Sequence, residues 1–199
     1  MTDLDTIRLF GMSAAHIERD LDKVEQSLKI DLQRSPIDRA DDEFYPQFEH
    51  RLRIEAEAMG RHYSLFYCLE RSTRQIIVDT LSEEYGEGWW ELRVPDHVKK
   101  SAAENLKKER ESAVTPRSED TIDYTNFGEL GDIVRNNWPS FGAIFNSEKG
   151  FNQVMTRLNT VRSPIAHCSP LAPDEVVRLE LTLRDWFRQM GAPEKSKTA

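Results

Sequence analysis

A chain of 199 residues is long enough for one domain with a real core plus an extension, and too short for two ordinary domains. Hydrophobic residues make up 38% and charged residues 31%, and no apolar run approaches the ~20 residues a bilayer crossing needs, so membrane integration is excluded. The net charge of −8, from 27 Lys and Arg against 35 Asp and Glu, argues against a dedicated high-affinity nucleic-acid binder but leaves room for a locally positive cleft.

The acidic start, Met1-Thr2-Asp3-Leu4-Asp5, lacks the basic-then-apolar pattern of a secretory signal, which predicts a cytoplasmic protein. Leu21, Val24, Leu28 and Leu32 then space out a weak amphipathic helix from about Ile17 to Leu32, ended by Ser35-Pro36. Residues 34–42 are polar and proline-interrupted, so residues 1–58 read as an N-terminal helical extension. A long helix is predicted from about Phe48 to Tyr85. Its core stripe is Met59, Tyr63, Phe66, Thr73, Ile77 and Leu81, at steps of three and four. Glu70 falls on that stripe, where a carboxylate needs a partner, and Arg74 one turn on is the nearest. Gly86 and Gly88 end the helix, and Trp89 and Trp90 lid the core.

Pro95 and Asp96 start a helix running through Val98, Ala102 and Leu106 to about Glu111, followed by a loop over residues 113–124. The pairs Lys99-Lys100 and Lys107-Lys108 on it read as a solvated face rather than a binding track. Thr125 or Asn126 caps a helix carrying Phe127, Leu130, Ile133 and Val134, which stops near Asn136-Asn137-Trp138-Pro139. Phe141, Ile144 and Phe145 form a buried connection. Ser147 caps a helix with Phe151, Val154, Met155, Leu158 and Val161 inward. The last helix opens at Pro173 and carries Val176, Leu179, Leu183, Trp186, Phe187 and Met190 to Gly191, leaving 192–199 as a disordered tail. No strand alternation stands out, so the expected class is all-α, with residues 59–191 as the helical domain.

Arg162-Ser163-Pro164-Ile165-Ala166-His167 carries the chemistry. It pairs the side chain best built to hold a phosphate with the one that titrates near neutral pH. On a continuous helix residues five apart point about 140° away from each other, and Pro164 predicts a bent connector that brings the two onto one side. A second break at Ser169-Pro170 confines His167 to a turn. Such a pair suits attack of an RNA 2′-hydroxyl on the adjacent phosphate, with His167 moving the proton and Arg162 neutralising charge on the phosphoryl oxygens. The remaining histidines, at 16, 50, 62 and 97, fall at no metal-ligand spacing, so neither metal nor cofactor is expected. The residue-level alternatives are an arginine capping a helix end, a histidine satisfied in a turn, and Cys168 as a nucleophile beside the imidazole; Cys68 and Cys168 read as reduced thiols.

RSPIAH, preceded by FNQVMTRLNTV and followed by CSPLAPDEVVRLELTLRDWF, resembles the signature of the HEPN superfamily. HYSLFYCLERSTRQIIVDTLSEEYGEGWW resembles the first long helix of the same domains, especially the branch attached to PIN-type endonucleases of RNA quality control. The resemblance covers about Gly60 to Met190 and implies a bundle of four to five core helices with a metal-independent ribonuclease site. It assigns catalysis to Arg162 and His167 and implies a homodimer with both motifs facing a shared cleft. The residue after the arginine is usually Asn, Asp or His and orients the site; here it is Ser163, whose hydroxyl still bonds but reaches less far. Glu70 matches an acidic residue common on the first family helix and supports the cleft. The expected function is an endoribonuclease, a toxin or defence effector acting on tRNA or other RNA and restrained by an antitoxin or defence-system partner. The alternative is a non-catalytic HEPN module for RNA or nucleotide binding and dimerisation.

Overall fold

The computed structural model describes residues 44–191 together with seven positions between Ile17 and Leu28. The chain divides into two compact units, residues 1–54 and 55–199. In the first, the described residues between 17 and 28 are helical, with Lys23 paired to Asp20 at 2.8 Å and Ser27 donating to the Val24 carbonyl. A 3-10 turn at Tyr45–Gln47 follows. The rest of the helix expected from Ile17 to Leu32, the 34–42 linker and the tail expected at 192–199 lie outside the described residues.

The described part of the second unit is built of helices and loops, with no strand. Helix α1 (His50–Tyr85) is followed by the short α2 (Trp89–Arg93) and α3 (Asp96–Glu111), then by a 3-10 turn at Thr121–Tyr124. Next come α4 (Phe127–Asn136), the single turn α5 (Trp138–Phe141), α6 (Glu148–Ala166) and α7 (Pro173–Met190). No helix among the described residues is long and apolar enough to cross a membrane.

Local chemistry sets these boundaries. Gly86, at φ +67°, takes the left-handed conformation that stops α1, a geometry free of steric cost only for glycine. Asn126 closes the start of α4 with a capping box: its side chain accepts from the Glu129 N–H at 3.1 Å while the Glu129 carboxylate accepts from the Asn126 N–H at 2.8 Å. Ser147 caps α6 by accepting from the Gly150 N–H, and Pro173 opens α7, where its missing donor costs nothing.

The core is the sum of the helix stripes. Phe66, Leu69, Ile77 and Leu81 of α1, Val98 of α3, and Phe127, Leu130, Ile133 and Val134 of α4 meet Phe151, Val154, Leu158 and Val161 of α6. An aromatic cluster ties α6 to α7: Phe145 lies 4.6 Å from Phe151 and 5.5 Å from Trp186, centroid to centroid. Trp89 and Trp90 pack half-buried against this core, edge to face. Asn137 closes α4 from a fully buried position, accepting from Arg93 Nε at 2.8 Å and donating to the carbonyls of Arg93 and Ile133.

Four expectations fail. Tyr63 is 60% exposed rather than in the core, and Phe187 and Met190 are 68% and 36% exposed, so the α1 and α7 stripes are narrower than their periodicity suggests. Pro164 does not break α6, which runs on to Ala166. The cause is tertiary: Ile165 extends the stripe of Leu158 and Val161 into the core, and that burial holds the helical register through the proline. The bond that Pro164 cannot make is lost at the Thr160 carbonyl, near the helix end.

Candidate active site at the end of helix α6

α6 ends in a complete left-handed cap. Cys168 sits at φ +53°, its N–H donates to the Ile165 carbonyl, and the Ser169 N–H reaches back to the Pro164 carbonyl at 2.9 Å. These are the two bonds of a Schellman motif, built around a cysteine where glycine is usual. They fix His167 as the C-cap just past Ala166, with an exposed imidazole. The break that the sequence placed at Pro164 therefore comes three residues later, and it leaves Arg162 and His167 about 140° apart around one helix end.

Arg162 points into a cleft of about 470 Å³ between α1, the 113–124 segment and the end of α6. Its floor is a chain of charges. Glu70 accepts from Arg74 Nη2 through one oxygen at 2.6 Å and from Arg162 Nε through the other at 3.0 Å. Arg74, whose side chain is only 12% exposed, also donates to the carbonyls of Ile122 and Thr125, so one guanidinium ties α1 to the loop before α4. The i,i+4 pairing of Glu70 with Arg74 follows the sequence expectation; the second bond to Arg162, 92 positions away, does not show in any spacing.

The rim carries further pairs. Arg71 meets Asp123 at 2.8 Å, and Arg117 is clamped to Glu109 through both its backbone N–H and its Nε. The Arg117 contact holds the Glu109 carboxyl below the ordinary glutamate range. Four arginines thus face this cleft in a chain of net charge −8. Sequence reasoning missed Arg71 and Arg117; the one available signal was that Arg71 shares the Glu70 face of α1.

Of the expected site residues, Glu70 and Arg162 are joined directly. Ser163 is exposed, on a different face of α6 from the cleft, and His167 is not among the residues that line it. A larger, more open depression of about 750 Å³ along the first turns of α6, reaching Arg157, contains none of them. Among the described residues no group of three or more His, Cys, Asp or Glu side chains stands close enough to hold a metal ion.

Comparison with known families decides the assignment. The family model described as Swt1-like HEPN matches residues 64–191, well over half of the chain. The chain belongs to the HEPN superfamily. No curated protein and no solved structure gives a significant match to it. The matched span of this HEPN domain begins one residue after Tyr63 and includes Glu70, the Arg162 to His167 segment and all of α7.

Proposed function

We propose that this HEPN chain is a metal-independent endoribonuclease in which Arg162 holds the scissile phosphate and His167 moves the proton. The observation that carries the reading is how Glu70 grips Arg162. It takes only the Nε edge, and among the described residues neither terminal nitrogen has a partner, so the forked end that binds a phosphate bidentately is presented to the cleft. Attack of a 2′-oxygen forms the bond to phosphorus and breaks the bond to the 5′-oxygen, leaving a 2′,3′-cyclic phosphate and a 5′-hydroxyl. In-line displacement puts the entering and leaving oxygens on opposite sides of phosphorus, so base and acid are separate groups. In a homodimer sharing one cleft, His167 of the copy opposite Arg162 serves as one of them and water as the other. The RNA in question is tRNA or another cellular RNA, with the chain acting as a toxin or defence effector under the control of a partner.

A second reading has its own support: His167 lies outside the cleft that Arg162 lines, as suits a module that binds RNA or nucleotide without cleaving it. Purified protein incubated with mixed RNA in EDTA, beside His167→Ala, separates the two. Cleavage by the wild type alone, with 2′,3′-cyclic ends, supports the enzyme. Wild type and variant inert alike across RNA classes overturn it.

A further inference from the structure

Tyr63 and Tyr67 stand out against the rest of α1. They follow one another on the face that also carries Glu70, Arg71 and Arg74, and both line the cleft of Arg162. Tyr63 is 60% and Tyr67 58% exposed, their ring centroids lie 6.3 Å apart at 36°, and among the described residues neither hydroxyl has a hydrogen-bond partner. Two neighbouring rings left in water forgo the burial that would stabilise the fold, and exposed apolar surface of this kind marks a place of contact.

The charge around the rings says what kind of contact. Arg71 and Arg117 have side chains more than half exposed, and Arg162 presents its fork into the same cleft. Rings flanked by cations, within a chain that is acidic overall, complement a strand that alternates flat bases with phosphates better than an apolar helix or a second acidic copy. The spacing fits as well. Tyr67 precedes Glu70 by three residues, about 4.5 Å along the helix axis, so Tyr67 stands one turn from the carboxylate that grips Arg162, in the same cleft.

We propose that Tyr63 and Tyr67 form a base-stacking subsite that takes an unpaired nucleobase next to the phosphate held by Arg162, with Arg71 and Arg117 meeting the flanking phosphates. It rests on the reading of this cleft as the phosphate site, and it sets the substrate class: a single strand or loop whose bases are free to turn outward. A base locked in a duplex cannot reach the ring.

The test is anisotropy of the full chain with a short fluorescent 2′-O-methyl RNA, whose blocked hydroxyl prevents cleavage, offered as a single strand, as a fully paired hairpin and as an abasic strand. The expected result is preference for the single strand, roughly 5- to 150-fold weaker binding in Tyr67→Leu, the range that ~1–3 kcal/mol per stacked base gives, and retention in Tyr67→Phe. Tyr63→Leu weakens binding in the same direction. An abasic strand loses the preference. Because both side chains are exposed, the variants keep the wild-type thermal midpoint, which circular dichroism checks. Absence of RNA binding, equal affinity for strand and hairpin, or leucine variants that bind like the wild type overturns the subsite. So does a dimer that falls apart in the leucine variants while RNA affinity per chain is unchanged, since the rings then belong to a copy-to-copy interface. Failure of the nuclease reading looks different: no cleavage of unmodified RNA, with the binding differences intact.

Discussion

Glu70 binds Arg162 across 92 positions of sequence through Nε alone, at 3.0 Å, and binds Arg74 with its other oxygen. One half-buried carboxylate therefore orients Arg162 on the cleft and anchors the arginine that fastens α1 to the 122–125 segment.

That double use makes Glu70→Gln a sharp substitution. Both oxygens accept from a guanidinium, so the amide NH₂ must face one of them, donor against donor. The expected loss is ~1–3 kcal/mol of stability, with weaker RNA binding because Arg162 is no longer aimed. Urea denaturation and RNA titration of the same sample measure both. An unchanged midpoint and affinity would mean that the bridge carries no weight.

Cys168 predicts the opposite sign. Its φ of +53° strains any side chain, and the Schellman bonds around it hold that conformation regardless. Cys168→Gly is expected to stabilise the chain by about 1 kcal/mol while leaving the end of α6 unaltered. It also removes the thiol beside His167, so undiminished cleavage by the variant excludes Cys168 as the nucleophile. Lower thermal stability would contradict the assigned cap.

Pro164→Ala restores an N–H facing the Thr160 carbonyl and removes a ring clash, at the expense of a freer unfolded chain. The first effect reaches ~3 kcal/mol in a helix interior and the second is under ~1, so a net gain of ~1–2 kcal/mol is expected near this helix end. Differential scanning calorimetry reads it. A loss instead of a gain would show that the proline is accommodated without cost.

Much of this was legible in sequence, because caps and stripes are local. Asn126, Ser147 and Pro173 announce their helices, and Glu70 announces Arg74 at the spacing of one turn. What escaped depends on what surrounds a residue. Periodicity gives the direction Tyr63 faces but not whether anything covers it. Local propensity says that Pro164 breaks the chain, and only the buried Ile165 shows why it does not. The bond from Arg162 to Glu70 is a product of packing α6 beside α1, and no pattern within either helix encodes it.

Glu109 gives a dependence on acid. Its carboxyl is held low by the Arg117 backbone and side chain, so the stability it contributes is present above the ordinary glutamate value of 4.5 and is lost as pH falls through the lowered folded-state value. The clamp that sets Arg117 on the cleft rim is therefore intact at neutral pH and opens only in acid. A carboxyl ¹³C NMR titration should place the Glu109 midpoint below the ordinary glutamate value of 4.5, and Arg117→Gln should raise it. Identical midpoints would contradict the clamp.

The proposed site takes Arg162 from one copy and His167 from its partner, since one helix end points them about 140° apart. Mixing Arg162→Ala protein with His167→Ala protein, each inert alone, and measuring the rate of RNA cleavage in EDTA tests it most directly. Mixed dimers then hold one intact site of two, and random exchange predicts about a quarter of the wild-type rate. No recovery on mixing, from two variants that exchange subunits and each still dimerise, would contradict it.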